Sequence, residues 1–289
     1  MRGRTVVVLM IATAVLALMM GSPGSPSRAA PAAVYPTSPV IGSPPLISAG
    51  KLMAATNATI PPYQFVDSSG KLQGMRIELG EEIAKRLGLK MEWFNVGFET
   101  HIPGLQSSRW DVSITGMFYT PERARILYMI PYELQAISIS VARGNPLRIA
   151  STRDLAGRRV AVEIGGYEFR QITRINEEQV AAGLRPMEIR TFSTFADAYQ
   201  ALRAGQVDAV VSVDVTAKFY QDRGEFDRAV SGLAGSPATL AFRSKDVAFA
   251  VLRVLNQMRR DGFYDRLFDK YGVAKMSPGQ LLELRGPDL

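Results

Sequence analysis

The apolar positions of this chain change period in a regular order. The run at Lys51–Thr56 reads as a short strand, and Asn57-Ala58-Thr59-Ile60-Pro61-Pro62 breaks it. Asp67-Ser68-Ser69-Gly70-Lys71 reads as a hairpin-type turn. Leu79, Ile83, Ala84 and Leu87 then recur at helical spacing, with Glu81, Glu82, Lys85 and Arg86 opposite and Gly88 as the stop. A strand at 91–96, a short helix through Leu105 and a strand at 111–115 follow. Thr120 and Pro121 form an N-cap and first-turn pair. A helix starting there sets Arg123 beside free backbone amides, where an anion is held by charge and dipole together.

The rhythm restarts further on. Residues 135–142 alternate as a strand, and Arg143-Gly144-Asn145-Pro146 is a break. A short helix at 151–155, a strand at 160–164 ending in Gly165-Gly166, a helix at 167–182 and a strand at 187–192 come next. Ser193 is placed to cap a helix that runs to Leu202 and stops at Gly205, before a strand at 207–213. A strand at 239–243 and an amphipathic helix at 246–260 have no strand partners of their own, so they return to the first unit. Strand and helix in alternation imply an α/β fold of two lobes, each a mostly parallel sheet with flanking helices. The expected bounds are 48–136 with 238–275 for lobe 1, 137–237 for lobe 2 and 276–289 for a C-terminal tail. The cleft between such lobes is the default place for a small ligand.

Composition narrows the setting. The first residues have the form of a secretory signal peptide (1–30): Arg2 and Arg4, an apolar run at 6–20, then small residues up to Ala30. An uncleaved anchor is the competing reading, but fifteen apolar residues fall short of the roughly 20 a span needs. Residues 31–47, rich in Pro, Ser and Ala, form a flexible leader. The chain has no cysteine, which excludes disulfides and a lipid-anchored mature N-terminus. The expected location is therefore free solution in a periplasm. With Arg2, Arg4 and Arg28 set aside, 31 of the 34 basic residues remain against 27 acidic ones. They are scattered, so no nucleic-acid footprint is expected.

Four segments in order resemble the family 3 extracellular solute-binding proteins, the amino-acid receptors of ABC importers. They are TNATIPPYQFVDSSGKLQGMRIELGEEIAKRLG at 56–88, IPGLQSSRWDVSITGMFYTPERA at 102–124, AGQVDAVVS at 204–212 and MRRDGFYDRLFDKYG at 258–272. The resemblance implies the type II periplasmic-binding-protein-like fold, hinge closure on a small ligand and delivery of the closed form to a membrane permease. It implies a monomer, no metal, no cofactor and no catalytic residue. Arg123 falls where the family clamps the ligand α-carboxylate, a role that suits a planar donor fork. Thr115, Gly116 and Phe118 fall where backbone and hydroxyl groups meet the ligand. Phe98 and Tyr63 match aromatic positions of the pocket, and Asn57 stands where many members have aspartate. Gly165, Gly166 and Tyr167 replace a loop that offers helix N-terminal amides.

The departures concern the ligand's other end. Ile60 replaces a tyrosine, Phe118 a threonine or serine, and Val213 the aspartate that usually meets the ammonium. Asp214 is one residue later, and on a strand one residue of offset points to the other face, whereas Asp214 reaches the cleft if the chain has already left the strand there. Asp214, Glu163 or Glu168 takes over that task, or the ligand is a small organic acid or a modified amino acid. Two other functions compete. A periplasmic cyclohexadienyl or arogenate dehydratase on the same scaffold would need a general acid of raised pKa, for which Glu163 and Glu168 are the candidates. A sensor ectodomain would need a membrane segment or signalling domain before Leu289. The single histidine, His101, is expected in the core or at the rim rather than on a metal.

Overall fold

The computed structural model describes residues 46–277 and 279–289. The expected signal peptide and most of the expected leader lie outside the described residues. In chain order the elements are β1 (Lys51–Thr56), β2 (Thr59–Ile60), β3 (Gln64–Val66), β4 (Leu72–Gln73), α1 (Met75–Arg86), β5 (Lys90–Asn95), α2 (His101–Gln106) and β6 (Val112–Phe118). Then come α3 (Pro121–Ala124), β7 (Tyr128–Ala142), β8 (Arg159–Glu163), α4 (Tyr167–Ala181), β9 (Glu188–Phe192), α5 (Phe195–Arg203) and β10 (Ala209–Val213). The chain ends its regular structure with α6 (Asp214–Asp222), β11 (Phe226–Phe242), α7 (Lys245–Arg260) and α8 (Phe263–Tyr271).

One sheet runs in the order β5-β1-β6-β11-β7-β10-β8-β9. β5, β1 and β6 are parallel to one another, as are β10, β8 and β9. Between these triplets β7 and β11 pair antiparallel along their whole length. Their pairing is regular at the ends and shifts register repeatedly between Arg228 and Thr239. That irregular middle lies where the sheet passes from one triplet to the other, and bulges of this kind bend and twist a strand pair.

Helices cover the triplets because each carries an apolar stripe. In α1, Leu79, Ile83 and Ala84 are buried, and the helix packs on β5, β6, α7 and α8. In α5, Phe195, Ala198, Tyr199 and Leu202 are buried against β8 and β10. Each fully buried Leu or Ile contributes about 1.5–3 kcal/mol relative to exposure.

Several boundaries differ from the periodicity. β6 reaches Phe118 rather than ending at 115, because all seven of its residues are buried and the alternation disappears. β7 begins at Tyr128, seven residues before the alternating run, and β11 begins at Phe226 rather than 239. Gly232, Gly235 and Ser231 hide the start of β11 by interrupting its pattern. Thr194, not Ser193, caps α5: its Oγ1 accepts from Asp197 N at 3.1 Å and donates to Asp197 Oδ2 at 2.7 Å. The helices α6 and α8 were not expected from the pattern. Residues 279–289 dock on the first half, where Arg285 and Met129 exchange backbone bonds of 2.9 and 2.7 Å.

Candidate functional site

Arg123 sits at the turn where β6 gives way to α3. Thr120 Oγ1 accepts the Arg123 backbone N–H at 3.2 Å, which confirms the cap but uses up the amide nearest the arginine. α3 is also a single turn, so the expected help from a helix dipole is small. What remains is the guanidinium itself. It is 6% exposed, and Nη1 donates to Phe118 O at 2.9 Å while Nη2 reaches Gly165 O at 3.5 Å. Its Cζ lies 5.3 Å from the centre of the Phe98 ring. Among the described residues no carboxylate is within ion-pair distance of it. Burial draws its pKa down to about 10, only partly opposed by the charge of Glu168, and it stays protonated at neutral pH.

A second buried arginine, Arg76 of α1, escaped the sequence reading. It lies directly behind the Thr115-Gly116 backbone with every donor used. Nε donates to Tyr132 Oη at 2.7 Å, and Nη1 donates to Gln64 Oε1 at 3.0 Å and Thr115 O at 2.8 Å. Nη2 donates to Glu133 Oε1 at 2.9 Å and Gln135 Oε1 at 2.6 Å. The Tyr63 ring packs 4.1 Å from its Cζ. Burial alone would depress its pKa, but Glu133 and the neighbouring phenols outweigh that and raise it. A Cβ on Gly116 would fall 2.0 Å from Arg76 Cζ, and Gly116 has φ +73°, so this position requires glycine. Gly116 and Tyr63 thus meet Arg76, and Thr115 O and Oγ1 are engaged by Arg76 and Gln64.

Opposite these residues lies the start of α4. The Phe118 and Tyr167 rings stack with centroids 4.5 Å apart and an interplanar angle of 19°. Asn57 Nδ2 donates to Glu163 Oε1 at 2.6 Å, and Thr216 Oγ1 donates to Pro61 O at 3.0 Å. Gly165 has φ +74°, and a Cβ there would lie 3.6 Å from Glu99 Cα. A Cβ on Gly166 would lie 2.6 Å from Glu168 Oε2, so the two glycines let the β8–α4 turn approach closely. The structure therefore brings Arg123, Phe98, Phe118, Asn57, Gly165, Gly166 and Tyr167 together.

Two buried acids belong to the same cluster. Glu168 is 4% exposed, and burial lifts its pKa to about 7 against the pull of its own backbone N–H, Arg123 and Arg76. Glu163 is 1% exposed, and burial, then the charge of Glu168, hold its carboxyl well above the ordinary range. The bond from Asn57 opposes that shift without cancelling it.

Asp214 has a different neighbourhood. It begins α6, where its carboxylate accepts from Ser138 Oγ, from Arg228 Nη1 at 2.9 Å and from Gly232 N at 3.4 Å. Val213 is 3% exposed at the end of β10. His101 is in the core: its ring stacks on Phe98 at 5.6 Å between centroids, and Nδ1 lies 2.7 Å from Ser113 Oγ. Burial holds it near pKa 4, hence neutral, and it backs the ring on which Arg123 rests. No cluster of three metal-ligating side chains occurs among the described residues.

The model of the bacterial extracellular solute-binding proteins, family 3, matches residues 52–274. The L-cystine-binding protein TcyJ of Escherichia coli K12 is 28% identical over 234 residues, 79% of this chain and 85% of that protein. The lysine/arginine/ornithine-binding periplasmic protein of Escherichia coli K12 is 26% identical over 228 residues, 75% and 85% of the two chains. Among solved structures, an ancestral arginine-binding protein bound to arginine is 33% identical with a TM-score of 0.70, covering 77% of this chain and 98% of that one. An ancestral amino-acid-binding protein, a precursor of cyclohexadienyl dehydratase, is 29% identical with a TM-score of 0.67, over 77% and 95%.

Proposed function

Because the chain belongs to the bacterial extracellular solute-binding proteins of family 3, we propose that it captures a small carboxylate-bearing ligand, an amino acid or a close relative, and delivers it to an ABC importer. The two halves of the sheet act as lobes, and the irregular middle of β7 and β11 is the hinge on which they close. The work is done in the periplasm, after a signal peptide has been removed. The permease of the importer is the second partner.

One observation carries this reading. Arg123 is buried and charged at the meeting of the two halves, and its bonding partners are two backbone carbonyls. A carboxylate is the partner such a guanidinium lacks, and it would bind as a charge-assisted fork. Phe98 and the Phe118–Tyr167 stack supply apolar walls, as ligand pockets commonly have. The named relatives are binding proteins, and this chain acts as one too. Incubation with prephenate or arogenate is expected to give no aromatic product; turnover would turn Glu163 or Glu168 into a catalytic acid.

A thermal-shift screen of amino acids, opines and small carboxylates tests the reading, since a ligand that binds only the folded state raises its melting temperature. Stabilising ligands are expected to carry a carboxylate. A screen whose hits all lack one would overturn the assignment.

A further inference from the structure

We infer that the end of the second half remote from Arg123 docks on an anionic phospholipid bilayer, through Arg143, Arg148, Arg153, Arg158 and Arg185 with Leu147 exposed among them. The inference does not depend on which ligand Arg123 takes.

Basic residues are scattered along the chain as a whole, but the sheet gathers these five at one edge. Across β7, β10, β8 and β9 the register aligns Val141, Ala209, Val160 and Ile189. Arg143 lies just past that line at the end of β7, while Arg158 and Arg185 lie just before it at the starts of β8 and β9. Arg148 and Arg153 belong to the connection from β7 to β8. Gly165, which meets Arg123, follows the other end of β8, about 13 Å away along the strand. This edge therefore faces away from the candidate ligand site.

The carboxylates of the edge are already engaged. Asp208 pairs with Arg159, Glu188 with Arg190 and Glu225 with Arg203, each at 2.6 Å. Asp154 accepts from the Ala150 and Ser151 amides, and Asp227 from the Gly144 amide. Arg153 and Arg158 help to lower the pKa values of Asp154 and Asp208, but among the described residues none of the five arginines forms an ion pair. Arg143 alone of them has a side-chain hydrogen bond, 3.3 Å to Gly224 O.

The loop that carries Leu147 is held stiff. Asn145 Nδ2 donates to Ile149 O at 2.8 Å, and its Oδ1 accepts from Ile149 N at 2.9 Å. Asn145 and Arg148 have φ of +43° and +54°, which few residues other than glycine adopt. Leu147 is kept 36% exposed, beside an apolar cavity of about 240 Å³ that Leu202 and Val207 also line. A bilayer offers what this face lacks: a layer of phosphates for the guanidinium forks, and apolar chains beneath it for Leu147. Five arginines fall in the range that recognises anionic lipid. The chain has no cysteine to carry an acyl anchor, and this contact concentrates it without one on the membrane that holds a permease.

Cosedimentation of the secreted protein with vesicles tests the inference. Wild type is expected to bind phosphatidylcholine vesicles containing about one-third phosphatidylglycerol at low salt, and not pure phosphatidylcholine. Salt at about 1 M, where the screening length is about 3 Å, should release it. The triple variant Arg148→Gln, Arg153→Gln and Arg185→Gln changes only exposed side chains, so it should melt with wild type. Its affinity for the anionic vesicles should fall about 100-fold. A second triple variant, Lys90→Gln, Arg253→Gln and Arg260→Gln, removes the same charge from exposed sites on the other half and should bind within about threefold of wild type. Leu147→Ser should weaken binding several-fold. Wild type that ignores the anionic vesicles overturns the inference, as do two triple variants of equal affinity, which would make net charge the cause. Either result leaves the capture of a carboxylate by Arg123 standing, because the thermal-shift screen reads that separately.

Discussion

Arg76 and Arg123 are both buried, and both lie against the same strand, yet they are partnered to opposite degrees. Arg76 is 0% exposed with a carboxylate, two amide oxygens, a phenol and a carbonyl around its guanidinium. Arg123 is nearly as buried and has two carbonyls and the face of a phenyl ring. The pKa of the first is raised and that of the second drawn down to about 10, which expresses the same contrast. A saturated buried charge holds a structure together. An undersupplied one stores a demand for an anion, and closing the halves on a carboxylate would meet it.

The largest effect is expected where the saturated arginine is broken. Arg76→Met leaves Glu133 buried without its cation and should destabilise the protein by about 3–5 kcal/mol. That corresponds to a fall of about 10 °C or more in melting temperature, and a denaturant series would register it. A loss below 1 kcal/mol would erase the distinction between the two arginines.

Glu168 gives a pH signature to the other region. Its folded pKa of about 7 lies above the ordinary 4.5, so the folded chain keeps a proton that the unfolded chain gives up between those values. Its contribution is fully present below pH 4.5 and is lost as pH rises through 7. The unliganded protein should therefore lose about 3 kcal/mol between pH 4.5 and 8 from this group, and Glu168→Gln should flatten that slope. A slope unchanged in the variant would place the titration elsewhere.

A smaller effect tests the contact behind the site. Gly116→Ala adds a Cβ in the left-handed region and against Arg76, and should cost about 2 kcal/mol in chemical denaturation. An unaffected variant would mean that Arg76 does not press on the Thr115-Gly116 backbone.

Local chemistry made part of this legible. β1 and α1 were readable because Gly50, Asn57 and Gly88 punctuate clean periods, and Thr120-Pro121 announced the turn that presents Arg123. The family segments located the candidate site residues. Arg76 was not legible, since it is one charge among several on a surface-like helix and Glu133 lies 57 positions away. The sequence leaves open where Asp214 points, because α6 starts without a break after β10. The first part of β11 was hidden because its order comes from pairing with β7 rather than from its own residues. In each case the deciding partner is distant in sequence.

The most direct test of the contrast is one titration of Arg123→Ala beside wild type, with the strongest hit of the thermal-shift screen. The account predicts that the unliganded variant melts within a few degrees of wild type while affinity falls about 100-fold, the order expected for truncating one partner of a charge-assisted pair. A variant that binds the hit as tightly as wild type would contradict it.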